Sequence, residues 1–213
     1  YDDTTALLLE NERAAALALP EASAAYEAAI ETYKQDVAAA RMAQWRNRCV
    51  SDGYEPGSTF KLITLASALD SGAVTLNDSF YCGGQEKFTG REQILNCWKS
   101  AGHGAQTTAQ ALGNSCNIAF GHIGLRMGGD TFYDYLKSFG VMEKTGVDLP
   151  GEASGLFYER KYLNDPANYG TSYLITSSFG QSFRITPMQL VRAVAAIVNG
   201  GYVLEPYIVS EVV

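Results

Sequence analysis

The sequence predicts a helix-rich mixed domain, and three observations carry that reading. Residues 4 to 44 are dense in Ala, Leu and Glu, the strongest helix formers. Leu62, Ile63, Leu65, Ala66 and Leu69 follow the stretch Tyr54 to Lys61 and stop at Gly72, which is one helix face with a glycine stop. Met188 to Val198 form a second apolar run that opens on Thr186-Pro187 and closes on Asn199-Gly200-Gly201. Strand signals are short and scattered by comparison. The chain has 213 residues, enough for one good-sized domain with a real core, and shows no internal repeat or interdomain linker.

In order along the chain, Pro20 divides the first segment into a shorter and a longer helix. Thr4 or Thr5 caps the first, and Tyr26, Ile30, Tyr33, Val37 and Met42 mark a stripe on the second that packs on the domain. Trp45 to Tyr54 is a turn-prone approach. Pro56-Gly57 then launches a helix at about Ser58. Val74 to Gly90 reads as loop and short strands, and Ile94 to Trp98 as a strand. Gly102-His103-Gly104 is a loop. Thr107 or Thr108 caps a helix to about Leu112, the run Asn114 to Asn117 breaks it, and Ile118 to Leu125 resumes it. Asp130 caps a helix over 131–139 that Gly140 ends. Residues 141–172 are mostly loop, and Tyr202 to Val213 reads as a strand approach because of its β-branched residues.

Composition excludes several classes of function. The formal net charge is -7, which argues against a nucleic-acid partner. No run of about eighteen apolar residues is present, and the chain opens on Tyr1-Asp2-Asp3 with no signal peptide. Cys49, Cys82, Cys97 and Cys116 include no Cys-x-x-Cys pair, and only His103 and His122 are available to join them, so no metal site or cofactor is expected.

The chemistry centres on Ser58 and Lys61. Three residues apart at the start of a helix, they share one face. A serine hydroxyl becomes a nucleophile when a base takes its proton, and a lysine amine does so only when neutral. Its ordinary pKa of about 10.4 must therefore be lowered by burial or by nearby positive charge. The free N–H groups at the helix start suit a developing oxyanion. Ser115-x-Asn117, in a break between helices, supplies a hydroxyl to relay a proton and an amide to orient substrate. Taken singly, each pair has an ordinary reading: a solvated Ser and Lys opening a core helix, and a cap for the next helix.

Taken together with their flanks, these residues resemble the class B penicillin-binding proteins, most of all the septal-division and sporulation branch. The resemblance runs through Trp45-Arg46-Asn47-Arg48, Val50-Ser51-Asp52, Tyr54 to Lys61, Gly102-His103-Gly104, Asn114 to Asn117, Phe139-Gly140, Lys144 to Glu152, Phe179-Gly180-Gln181 and Thr186 to Leu190. It covers about residues 45–209. It implies an α/β (α+β) fold of the penicillin-binding protein transpeptidase and serine β-lactamase type: an antiparallel sheet flanked by helices, with a helical lobe holding Ser115 and Asn117. It implies a serine D,D-transpeptidase that cross-links peptidoglycan stem peptides ending in D-Ala-D-Ala and is acylated by β-lactams. Ser58 is then the nucleophile, Lys61 its base, Ser115 and Asn117 the second motif, and Gly180 and Gln181 substrate-binding residues. The implied setting is the extracytoplasmic face of a bacterial membrane, on an anchored parent with membrane-bound cell-wall partners, in division or sporulation.

Further expectations rest on that resemblance. Residues 1–44 are a helical insertion before a core at 45–213. The third motif belongs on a strand beyond Val213, so the chain as given is a partial, inactive transpeptidase domain. Lys144-Thr145-Gly146 is a decoy for that motif. Cys82 and Cys97 flank hairpin-like turns in an oxidising compartment and are expected to form a disulfide, with Cys49 and Cys116 reduced. The competing readings are a serine β-lactamase and a β-lactam-sensing binding domain; for the lactamase, no deacylating Glu can be placed.

Overall fold

The computed structural model describes residues 3–19, 23–165 and 170–211, and it divides into two units, residues 1–47 and 48–213. That boundary falls three residues beyond the one expected from the sequence. The first unit is two helices packed on each other, α1 (Asp3–Leu17) and α2 (Ala24–Trp45). Thr4 and Thr5 lie inside α1 and do not cap it. Ser23 caps α2, its hydroxyl accepting from Tyr26 N–H at 3.1 Å. On the expected stripe of α2, Tyr26, Ile30, Tyr33 and Val37 are half-buried, whereas Met42 is exposed. Pro20 lies outside the described residues.

The second unit begins with a short helix, α3 (Arg48–Ser51), and a 3₁₀ turn, Gly57–Phe60, that runs directly into α4 (Lys61–Asp70). The buried face of α4 is Lys61, Ile63, Thr64, Leu65, Ser67 and Ala68. Leu62 of the expected stripe is instead exposed, and two hydroxyl residues take up core positions. Ser67 fits there because its hydroxyl donates to the Ile63 carbonyl at 2.8 Å.

Four short strands follow: β1 (Ser79–Cys82), β2 (Gln85–Glu86), β3 (Leu95–Asn96) and β4 (Gly104–Thr107). β1 pairs antiparallel with β4, Ser79 opposite Thr107 and Cys82 opposite Gly104, and β2 pairs antiparallel with β3. The expected loop at Gly102-His103-Gly104 therefore runs straight into a strand.

Then come α5 (Thr108–Gly113), α6 (Asn117–Met127), α7 (Gly129–Ser138), α8 (Arg160–Leu163), α9 (Gly170–Ser177) and α10 (Pro187–Val198). Thr107 and Thr186 form capping boxes with Gln110 and Gln189. Gly128, not Asp130, caps α7, and Asp130 sits in its first turn. α8 arises where loop was expected, and α9 begins at the end of that stretch. α6 is the hub of the unit: it packs on α4, α7 and α9, and Ile118, Ala119, Phe120 and Ile123 are fully buried. Burying a side chain such as Phe120 contributes roughly 1.5–3 kcal/mol.

Residues 202–211 form no ladder. Tyr202, Leu204, Tyr207, Ile208 and Val209 are exposed, and the Asp148 carboxylate accepts the Ile208 and Val209 N–H groups at 2.7 and 2.8 Å. β-Branched composition alone makes no strand without a neighbouring backbone to pair with. Among the described residues, no helix is long and apolar enough to cross a membrane.

Candidate active site

The two motifs meet at the Lys61 amine. A 3₁₀ turn has three residues per turn, so Ser58 and Lys61 eclipse one another. Lys61 Nζ lies 3.2 Å from Ser58 Oγ. It lies 3.0 Å from Ser115 Oγ, 2.7 Å from the Ser115 carbonyl and 2.8 Å from Asn117 Oδ1. Lys61 is 1% exposed, whereas Ser58 is open to solvent. Burial lowers the Lys61 pKa to about 8, opposed by the Cys116 and Cys97 thiols nearby.

That shift changes what the amine can do. At pH 7 about a tenth of it is neutral, against roughly one part in three thousand at an ordinary value. A neutral lysine keeps two N–H donors and one lone pair. The Ser115 and Asn117 carbonyls are acceptors only and make the two shortest contacts, so they take the two N–H groups. The lone pair is left for the hydroxyls of Ser58 and Ser115. No carboxylate is among these partners.

The backbone holds the arrangement from both sides. Ser115 adopts φ 48, rare for a residue with a side chain, in the break between α5 and α6. Its carbonyl and hydroxyl thereby turn to the same amine. Asn117 opens α6; with Oδ1 engaged by Lys61, its NH₂ remains for a substrate amide. On the other side, Gly57 N–H donates to the Gly180 carbonyl at 2.8 Å, and Tyr54 pairs with Ile185 in an antiparallel bridge. The Glu55 carboxylate accepts Ser182 N–H at 2.9 Å. Phe60, packed edge-on to Phe183 with centroids 4.7 Å apart, anchors the turn in the core.

Gly180 therefore works through the backbone. Its φ is +82, and a Cβ there would stand 2.1 Å from the Gly57 carbonyl oxygen. Gln181 is exposed, and its N–H is spent on the Thr176 carbonyl. Lys144-Thr145-Gly146 lies in a loop closed on Glu152, whose carboxylate accepts Thr145 N–H at 2.6 Å and Gly146 N–H at 3.2 Å. As expected, it forms no strand.

The cysteines depart from expectation. All four are free thiols, so the structure does not form the expected Cys82–Cys97 bridge. Cys82, Cys97 and Cys116 instead converge with His103, their ligand atoms all within 4.8 Å of one another. The cluster holds no local Cys-x-x-Cys pair; β1, the β3–β4 loop and the start of α6 each contribute to it.

The family model for the penicillin binding protein transpeptidase domain matches residues 4–213. Stage V sporulation protein D of Bacillus subtilis (strain 168) is 44% identical over 167 residues, 78% of this chain and 25% of that protein. Peptidoglycan D,D-transpeptidase MrdA of Escherichia coli (strain K12) is 30% identical over 170 residues, 78% of this chain and 26% of that protein. The TP domain of penicillin-binding protein 3 from Burkholderia pseudomallei superposes with a TM-score of 0.68 at 26% identity, covering 76% of this chain and 46% of that one. The chain thus spans about a quarter of the length of these curated relatives.

Proposed function

Because the chain belongs to the penicillin-binding protein transpeptidase family, we propose that it carries the acylation centre of a serine D,D-transpeptidase that cross-links peptidoglycan stem peptides and is trapped by β-lactams. One observation carries the reading: a buried lysine, held by two carbonyls, turns its remaining valence toward two serine hydroxyls.

In this reading Lys61 takes the Ser58 proton as Oγ attacks the penultimate D-Ala carbonyl. The oxyanion forms beside the backbone N–H groups at the start of the turn. Ser115, within reach of the same amine, passes the proton to the departing D-Ala nitrogen as the peptide bond breaks. The Asn117 NH₂ orients the donor peptide. An acceptor amine then attacks the ester, restores the Ser58 hydroxyl and completes the cross-link. With a β-lactam the leaving nitrogen stays tethered, so the acyl-enzyme persists.

The family match and the relative named a peptidoglycan D,D-transpeptidase favour the transpeptidase over the β-lactamase reading. The same reading places the chain on the extracytoplasmic face of the membrane, on an anchored parent working with membrane-bound cell-wall synthesis partners. It treats the α1–α2 hairpin as an insertion and Gly180 as a positioning residue.

Intact mass of the parent protein after penicillin treatment tests it. The expected result is a single, long-lived adduct that Ser58→Ala removes. An adduct that survives Ser58→Ala would sink the assignment, and rapid release of hydrolysed drug would return the lactamase.

A further inference from the structure

Among the described residues, two that are not glycine carry a positive φ: Ser115 at 48 and Ser182 at 69. A residue with a side chain stays there only where its surroundings enforce it. Ser115 is enforced by Lys61, whose amine donates to its carbonyl at 2.7 Å and lies 3.0 Å from its hydroxyl. Ser182 is enforced by Glu55, whose Oε1 accepts its N–H at 2.9 Å. Glu55 and Lys61 stand three residues before and three residues after Ser58. The acyl-transfer steps use Lys61 and leave Glu55 without a role.

The seam between the Ser58 turn and residues 180–185 needs a tie where Glu55 supplies one. At one end Gly57 N–H donates to the Gly180 carbonyl at 2.8 Å; at the other, Tyr54 and Ile185 exchange bonds at 3.0 and 3.1 Å. Between those ends one side has two residues, Glu55 and Pro56, and the other has four, 181–184. The longer side must bulge. Its other residues are held from elsewhere. Gln181 N–H donates to the Thr176 carbonyl, and Arg184 exchanges bonds with Leu156 at 2.7 and 2.8 Å. Phe183 packs edge-on to Phe60 and Phe157, with centroids 4.7 and 4.8 Å away. Only Ser182 is tied to the short side. Pro56 has no N–H to offer there, so the tie falls to a side chain. The Glu55 carboxylate is exposed and, among the described residues, forms no ion pair that would draw it away. A bond from N–H to a charged oxygen is about twice as strong as one to a neutral acceptor.

We propose that Glu55 is a positioning residue for acyl transfer, holding the 180–185 bulge against the turn that carries Ser58. The inference rests on the reading of Ser58 as the acylated residue. Glu55 touches no reacting atom. It acts through Ser182 and then Gly180, whose carbonyl takes the N–H of the residue before the nucleophile. The nucleophile's own segment thus grips both neighbours of the site. Lys61 holds the break between α5 and α6, and Glu55 holds the bulge.

The test uses the parent protein and reads the rate constant of penicillin acylation for the fraction that acylates, so that misfolded protein does not count as slow protein. Glu55→Ala should lower the rate about tenfold, a part of what a displacement of about 1 Å costs. Glu55→Gln keeps an oxygen for the same N–H and should stay within about threefold of the parent. Ser182→Gly adopts a positive φ freely; alone it should be neutral, and added to Glu55→Ala it should restore most of the rate. Equal losses in Glu55→Ala and Glu55→Gln would show that charge acts rather than the bond to Ser182. That result would overturn the proposal, as would no loss in Glu55→Ala or no rescue by Ser182→Gly. Hydrogen exchange, read without penicillin, tests the tie by itself. Peptides covering 54–58 and 180–185 should exchange faster in Glu55→Ala and at the parent rate in Glu55→Gln. Absence of any adduct on Ser58 would fell the functional reading, whereas unchanged exchange in Glu55→Ala would fell the tie.

Discussion

The α1–α2 hairpin and the unit that follows are both helical, but for opposite reasons. α2 has 22 residues and none of them is buried; α4 has ten, of which six are buried. α2 forms because Ala, Glu and Lys favour helix wherever they are put. α4 begins in a 3₁₀ turn with Gly, Ser and Thr, a poor local start, and stands because Phe60, Ile63 and Ala68 are packed away from water. A helix made by propensity tolerates change and holds little in place. A helix made by packing can hold a lysine amine without a counter-charge, and chemistry needs the second kind.

Gly180→Ala should break the packed unit hardest. The new Cβ and the Gly57 carbonyl oxygen cannot share 2.1 Å, and the φ of +82 is strained for alanine. The backbone one residue before Ser58 must shift, and a shift of about 1 Å at a reacting group costs on the order of a hundredfold in rate. The penicillin acylation rate should fall by about that much, with a loss of roughly 1–3 kcal/mol of stability from overpacking. An unchanged rate would mean that the 180–185 segment does not position the nucleophile.

The second test asks whether burial sets the base. The Lys61 pKa is lowered to about 8, so the free amine increases as pH rises through that value. The acylation rate constant should climb about tenfold per unit below it and level off above. Between about 8 and 10.5 the folded chain holds fewer protons at Lys61 than the unfolded chain does, so this residue's contribution to stability rises with pH across that window. A rate flat from pH 6 to 9 would show that the amine is not the base.

The same contrast explains what was legible in the sequence. Local spacing put Ser58 and Lys61 on one face and a polar run marked Ser115 and Asn117, but each pair alone had an ordinary reading, and it was the resemblance of their flanks that singled them out. The α10 start was legible, because Thr186, Pro187 and Gln189 are local signals. Features made by distant contacts were not. α9 carries Gly170, Thr171, Ser172 and Tyr173 in its first turn, all poor helix formers, and is helical because Leu174 and Ile175 are buried where it packs on α6. β4 reads Gly-Ala-Gln-Thr, with little strand propensity, and is a strand because β1 lies beside it. The cluster of three thiols and one imidazole draws on residues up to 34 positions apart and leaves no local trace.

The smallest effect should come from the hairpin. Ala39 is exposed in the middle of α2, so Ala39→Gly removes no packing and acts only through backbone freedom. It should cost about 1 kcal/mol, and that cost should fall on helicity within residues 24–45. Far-ultraviolet circular dichroism should show a slightly earlier melt, while penicillin acylation stays at the parent rate. That combination is what a propensity-built helix with no part in the chemistry predicts. A loss well above 1 kcal/mol would show that α2 is held by contacts, as α4 is. A drop in acylation would show that the hairpin helps to place Ser58, and the contrast between the two kinds of helix would then fail at its functional end.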